Sequence, residues 1–393
     1  MDDERETAGA DEDSERSERA LTEAADESAS VEDGLSEAAA EASIAEIVEA
    51  ERARQAEEVV VAEAEDAAER EEPADDELPD EDERPERPVK KPRAGAAKKK
   101  TPSRMLAVLG SPIEHSKSPQ LHRAAYAALG LDWEYGTAEV TADGLADFLR
   151  ERGPEWRGLS LTMPLKQSVI PLADEVDRVA ERTGVANTVL LDGDAIRAFN
   201  TDVPGIVRAV SAAGADRVRY VHVLGGGATA ASALVAAAEL GAERVDVFVR
   251  SLERSVWLEP LAHELGLMVR IRPLGQADRS LEVPEVVIST LPGGLATDAL
   301  YTDSTRRRAL LFDVSYDPWP SVLGAAWNEV GGRVVSGLAL LAHQALLQVR
   351  IFVSGDPLQP LESEDAVFAA MLDAVGIDES GAPLDDAVAA AEA

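Results

Sequence analysis

Short apolar runs alternate with longer amphipathic stretches from Met105 to about Met371, and no such alternation precedes Met105. Runs of four or five apolar residues between glycine or polar turns predict buried strands, and apolar positions three and four apart predict helices. Leu106–Leu109 then reads as a strand, and Gln120–Leu129 as a helix closed by Gly130. Gly158–Thr162 is a second strand, followed by a turn at Met163–Pro164 and a helix over Leu165–Val169. A second series opens with Tyr220–Leu224, the triplet Gly225-Gly226-Gly227 and an alanine-rich helix that ends before Gly241. Val245–Val249, Val286–Thr290 and Leu310–Val314 are further short strands, and Leu338–Phe352 is a long apolar helix after Gly337. Strands alternating with helices predict βα units and parallel sheets. Two α/β lobes, with a helix returning at the end, are expected.

Composition changes the picture at the ends. The chain has 393 residues and a formal net charge of −37. Residues 1–89 hold 35 Asp or Glu against 8 Lys or Arg, and no aromatic residue precedes Tyr126. Such a segment has too little apolar surface to offset the entropy of ordering it, so a disordered acidic tail is expected. Within it, Ser36–Glu72 carries only a ragged apolar stripe through Ile44, Ile47 and Val48 and reads as a solvated charged segment. Residues 90–104 reverse the sign with seven basic side chains and read as a linker, and 376–393 reads as a short acidic tail. The remainder from Met105 is still net −17, which argues against an electrostatic nucleic-acid partner.

The absence of cysteine excludes disulfides, thiolate nucleophiles and cysteine metal sites. His115, His122, His222, His263 and His343 lack metal-ligand spacing, so no metal is expected. No apolar stretch approaches the roughly 18 residues of a membrane helix, and the acidic N-terminus is unlike a signal or transit peptide. A cytoplasmic protein without a membrane partner follows, with monomer and homodimer both open.

The glycine triplet follows a strand and opens a helix, the context of a dinucleotide turn. Gly225 permits the tight turn, Gly227 lets amides approach a diphosphate at the positive helix end, and Ala230 is the third small position. A site for NAD places an acid at the end of the next strand to accept from the ribose hydroxyl. Here that strand ends on Arg250-Ser251, with Arg254 one helical turn later. A guanidinium suits a 2′-phosphate, so NADP is favoured over NAD.

Four segments load polar groups beside apolar strands: Gly110-Ser111-Pro112-Ile113-Glu114-His115-Ser116-Lys117-Ser118-Pro119, Ser160-Leu161-Thr162-Met163-Pro164-Leu165-Lys166, Gly184-Val185-Ala186-Asn187-Thr188 and Asn200-Thr201-Asp202. Each has a structural explanation taken alone: Ser118-Pro119 caps a helix, Asn187 satisfies a turn, Asp202 is an N-cap, and Lys166 is a solvated helix lysine. Together they resemble the shikimate dehydrogenase family. Its G-N-P-I-x-H-S-x-S-P motif is matched by GSPIEHSKSP, N-V-T-x-P-x-K by SLTMPLK, and G-A-x-N-T by GVANT. An N-T-D stretch follows, then Asp313-Val314-Ser315-Tyr316 for D-x-x-Y, and Gly337 to Gln344 for G-L-x-x-L-x-x-Q. The resemblance spans Met105 to about Met371 in the family's order and spacings.

The resemblance implies a substrate-binding α/β domain with a largely parallel sheet over 105–203, completed by helices at about 338–375. An NADP-binding Rossmann domain would occupy 204–337, with a cleft between the two. The implied reaction is the reversible NADPH-dependent reduction of 3-dehydroshikimate to shikimate. By residue-for-residue match, Lys166 is the general acid/base and Asp202 its charged partner. Ser116, Ser118 and Tyr316 would hold the substrate carboxylate, and Thr162, Asn187, Asp202 and Gln344 would arrange the ring hydroxyls and the ketone. Gly225, Gly226, Gly227, Ala228, Thr229, Arg250, Ser251, Arg254, Val314 and Gly337 would line the cofactor.

The chain departs from the family at Ala228, where a glycine is common, at Val249, where asparagine stands in N-R-T/S, and at Ser160 in place of the Asn of N-V-T. These departures bear on cofactor affinity and leave the acid/base pair intact. The alternatives are an NAD-using quinate/shikimate dehydrogenase, a non-catalytic ligand-binding relative, and a scaffold whose business is the acidic tail.

Overall fold

The structure of the chain, a computed structural model, describes residues 103–279, 282–294 and 297–384. The stretch 1–89, the linker up to residue 102 and the residues from 385 onward lie outside them. The first lobe runs β1 (Arg104–Gly110), α1 (Ser118–Ala128), β2 (Trp133–Glu139), α2 (Leu145–Arg150), β3 (Trp156–Leu161), α3 (Leu165–Ser168), β4 (Glu175–Val176), α4 (Arg178–Thr183), β5 (Thr188–Asp192) and β6 (Ala195–Phe199). Then α5 (Asp202–Ala212) leads into β7 (Tyr220–Leu224), α6 (Ala228–Glu239), β8 (Arg244–Val249), α7 (Leu258–Glu264), β9 (Met268–Pro273) and β10 (Val286–Ser289). The second lobe closes with α8 (Asp303–Arg308), β11 (Leu310–Asp313), α9 (Val322–Asn328) and β12 (Val334–Val335), and α10 (Gly337–Ser354) and α11 (Glu364–Val375) follow.

The first sheet has the order β2-β1-β3-β5-β6-β4. It is mixed rather than largely parallel: β5 pairs antiparallel with both β3 and β6. The cause is local, because only Gly193-Asp194 joins β5 to β6, and a two-residue link can return a strand only as a hairpin. The second sheet has the order β12-β11-β10-β7-β8-β9, with every pairing parallel. Its order reverses between β7 and β10, the switch point where such sheets open a crevice beyond their carboxyl ends.

α10 returns to the first lobe, where Ala342, Ala345, Leu346, Val349 and Phe352 join Leu106, Val108 and Tyr126 in one core. It is 18 residues long with a mean hydropathy of 1.3, apolar and long enough to cross a membrane by those measures alone. That corrects the expectation that no such stretch exists. Since 78% of the helix is buried within the protein, its apolarity is explained by core packing. Gly205 lets α5 cross α10 closely, since a Cβ there would lie 2.8 Å from the Gln344 Cβ. Past α11 the described residues, up to 384, fold back onto the protein: Ile377 is buried and the Glu379 carbonyl lies 3.0 Å from His343 Nε2.

Candidate active site

The turn after β3 sets Lys166 in place. The Thr162 amide donates to Leu109 O at 2.9 Å, and the Leu165 amide to Thr162 O at 2.8 Å. Leu165 is fully buried, so Lys166 beside it is directed to the rim of the core. Asn187 stands just before β5, its carbonyl accepting from Leu161 N at 2.8 Å and its amide donating to Phe199 O at 3.0 Å. Asp202 opens α5 without acting as its cap. Asn200 takes that part: its Oδ1 accepts from Asp202 N at 2.9 Å and Val203 N at 3.2 Å. The Asp202 carboxylate is thereby left for other partners.

Those partners are Lys166 and Asn187. Lys166 Nζ donates to Asp202 Oδ2 at 2.7 Å, and Asn187 Nδ2 donates to Asp202 Oδ1 at 2.8 Å. The two charged side chains are only 15% and 5% exposed, so removing one would strand the other in a poorly solvated site. Asn187 Nδ2 also reaches Gln344 Oε1 at 3.0 Å, while its Oδ1 accepts from Thr201 N and the Thr188 hydroxyl, both at 2.9 Å. With its oxygen occupied on one side, the amide nitrogen must face Asp202 and Gln344.

Behind this face lies a buried polar chain, of which the polar motifs mark only Ser160 and Thr188. Tyr135 OH donates to Ser160 Oγ at 2.6 Å, and Ser160 Oγ donates to Gln348 Oε1 at 2.7 Å. Gln348 Nε2 then donates to Asn187 O at 3.1 Å and Thr188 Oγ1 at 3.0 Å. His122 Nε2 lies 3.1 Å from Gln348 Oε1, and its ring stacks on Tyr135 at 4.0 Å. Burial lowers the His122 pKa to about 3 against the opposing hydrogen bond to Gln348, so the ring is neutral. One signal existed in the sequence: a second glutamine four residues after Gln344, on one face of an otherwise apolar helix.

At the other end, Ser116 Oγ accepts from the Ser118 amide at 3.3 Å. Burial raises the Tyr316 pKa, although the Lys117 backbone and the Ser116 hydroxyl both reach its oxygen. Tyr316 is therefore a neutral donor at ordinary pH. A cavity of about 320 Å³ collects Ser116, Ser118, Thr162, Lys166, Asn187, Asp202, Tyr316 and Gln344, together with Ser160 and Gln348. Thr229, Val314 and Gly337 close it from the second lobe. A Cβ at Gly337 would lie 2.0 Å from the Val314 carbonyl oxygen, so only glycine fits this approach.

The other expected cofactor residues, Gly225, Gly226, Gly227, Ala228, Arg250, Ser251 and Arg254, lie outside the cavity, around the carboxyl ends of β7 and β8. Gly225 has φ +106°, a conformation that side chains disfavour, and a Cβ there would meet Thr290 Oγ1 at 2.3 Å. A Cβ at Gly227 would meet nothing within 4 Å, which is the room a diphosphate needs at the start of the 12-residue α6. β8 ends at Val249, and Arg250 and Arg254 beyond it are exposed, with no acid at the strand end. These residues fit a phosphorylated dinucleotide.

Residues 108–189 match the model of the shikimate dehydrogenase substrate binding domain. The shikimate dehydrogenase (NADP(+)) of Geobacter sp. strain M21 is 34% identical over 265 residues, 65% of this chain and 91% of that one. The crystal structure of Mycobacterium tuberculosis shikimate dehydrogenase is 37% identical with a TM-score of 0.58, covering 68% of this chain and 98% of that one. The Thermus thermophilus enzyme, solved in complex with shikimate, is 30% identical with a TM-score of 0.59, covering 70% of this chain and all of that one.

Proposed function

The chain belongs to the shikimate dehydrogenase family, and we propose on that footing that it reversibly reduces 3-dehydroshikimate to shikimate with NADPH. It is an NADP-dependent oxidoreductase acting on a CH–OH group of the shikimate pathway, which leads to chorismate and the aromatic amino acids. The observation that carries the reading is the Lys166–Asp202 pair, 2.7 Å apart in a cavity that residues of both lobes line.

Reducing a ketone adds a hydride at carbon and a proton at oxygen. NADPH, when bound, supplies the hydride. Lys166 supplies the proton: its ammonium stabilises the charge growing on the oxygen and passes a proton to it, an effect of roughly two to four orders of magnitude. Asp202 keeps that ammonium in place and accepts from a ring hydroxyl. Asn187, Thr162 and Gln344 arrange the remaining ring oxygens, and Ser116, Ser118 and Tyr316 donate to the carboxylate. Arg250, Ser251 and Arg254 take the 2′-phosphate, Gly225 to Thr229 the diphosphate, and Val314 and Gly337 line the remaining cofactor surface. The enzyme works in the cytoplasm, as a monomer or homodimer, with small molecules as its partners.

Absorbance at the nicotinamide band, followed with shikimate and with quinate in the presence of NADP+ or NAD+, tests the reading. Shikimate with NADP+ is expected to give the fastest reduction. No reduction of either cofactor by shikimate would overturn it.

A further inference from the structure

The glycine turn is held from behind by an aromatic side chain. Trp257 stands immediately before α7, half-buried against the core of the second lobe. Its indole N–H donates to the Gly226 carbonyl at 3.2 Å. At the start of the turn, the Gly225 amide donates to Phe248 O at 2.8 Å, so the peptide groups on either side of the Gly225–Gly226 peptide are both tied to the β8–α7 side. Ser255 closes on the same place: a Cβ at Gly226 would lie 2.2 Å from its hydroxyl oxygen, and that hydroxyl is committed to Ser251 O at 2.9 Å.

In a trans peptide the carbonyl and the following amide point in opposite directions. Turning the Gly226 carbonyl toward Trp257 therefore turns the Gly227 amide to the other side of the turn. The space about the Gly227 Cβ position is open, and Gly227 donates to no backbone carbonyl among the described residues. Its amide stands at the head of α6, where the first N–H groups and the helix dipole favour an anion.

We propose that Trp257 is a positioning residue for the cofactor diphosphate, acting through the Gly226–Gly227 peptide. The proposal rests on the NADP reading above. It differs from the role of Arg250 in one respect that can be measured: the diphosphate is common to NADP and NAD, whereas the 2′-phosphate is not.

Trp257→Phe keeps a ring in the core and removes the N–H. It is expected to lower kcat/KM for NADP+ and for NAD+ by the same factor, roughly three- to tenfold. KM for shikimate and kcat at saturating NADP+ should stay within about twofold of wild type, as expected when only cofactor binding is weakened. Arg250→Ala, run in parallel, should affect NADP+ alone, and wild-type turnover reports separately on the enzymatic reading. Unchanged values for both cofactors, a loss confined to NADP+, or an equal rise in KM for shikimate would each overturn the proposal. Should the Phe variant fail to fold, β-(3-benzothienyl)alanine at position 257, which exchanges only N–H for sulfur, carries the same comparison.

Discussion

Lys166 Nζ and Asp202 Oδ2 lie 2.7 Å apart across the junction of the two lobes. Leu165, the neighbour of the lysine, packs in the core of the first lobe, whereas Val203 and Ile206, just after the aspartate, pack in that of the second. The pair thus forms only where the two cores are brought together, with Asn187 fixing the second carboxylate oxygen at 2.8 Å.

Lys166→Ala removes the proton donor and leaves the hydroxyl and carboxylate contacts. Turnover is expected to fall by roughly two to four orders of magnitude while shikimate still binds. Single-turnover kinetics together with a shikimate titration check this. Retention of more than about a tenth of wild-type kcat would rule out a general acid at this position.

Arg250→Ala is expected to reduce kcat/KM for NADP+ by roughly tenfold or more and to change that for NAD+ little. A charge-assisted contact is worth about 1.5–3 kcal/mol, and only one of the two cofactors carries the 2′-phosphate. Equal losses with both would remove Arg250 from that contact.

Gln348→Leu takes one hydrogen bond from each of four buried groups, Ser160 Oγ, His122 Nε2, Asn187 O and Thr188 Oγ1, and puts an apolar side chain against them. A lone buried donor or acceptor costs about 1–3 kcal/mol, and relaxation recovers part of it, so a loss of about 2–4 kcal/mol is expected. Because Asn187 loses support from behind, kcat/KM for shikimate should drop by more than that for NADP+. Denaturant unfolding and paired kinetics measure both, and a stability within about 0.5 kcal/mol of wild type would show the network to be dispensable.

His122 gives stability a definite pH dependence. Its pKa is held at about 3 in the folded protein, against about 6.5 in an unfolded chain. The groups in hydrogen-bond or ring contact with it, Tyr126, Tyr135, Gln348 and Phe352, are uncharged at these pH values. Between those two values the unfolded state binds more protons, so stability rises with pH across the window and is lost as pH falls below about 6.5. At pH 5 the loss from this one ring amounts to about 2 kcal/mol. The wild-type protein should therefore lose about that much more than His122→Gln between about pH 7.5 and pH 5 in chemical unfolding. A difference that does not change with pH would mean that the ring titrates normally.

A chain begun at Ser103 keeps every residue of the cavity and the bond from the Ser103 amide to Asp132 O. Its kcat/KM is expected to match the full chain within about twofold, because the removed residues include none of the proposed machinery. Its solubility should be lower, since a segment carrying much of the net negative charge is gone. Failure of the shortened chain to fold would assign the N-terminal residues a structural part.

The apolar runs and glycine turns made β1, β3, β7, β8, β10, β11 and α10 legible in the sequence, because each buries side chains in a pattern visible along the chain. β2 was not legible, since Tyr135 alone among its seven residues is fully buried, and the β5–β6 hairpin was passed over at a two-residue turn. The spaced polar motifs identified the family and marked the residues that the cavity collects.

What the tertiary structure alone decided is which polar groups meet. Lys166 and Asp202 are 36 residues apart, and Asn187 and Gln344 are 157 apart. Tyr135, His122 and Trp257 carry no local pattern that separates a hydrogen-bonded side chain from a plain core one. Periodicity reports which face of an element is buried, and that is a property of one segment. The partner of a buried donor or acceptor depends on how segments far apart in the chain pack together, and that information exists only in the folded molecule.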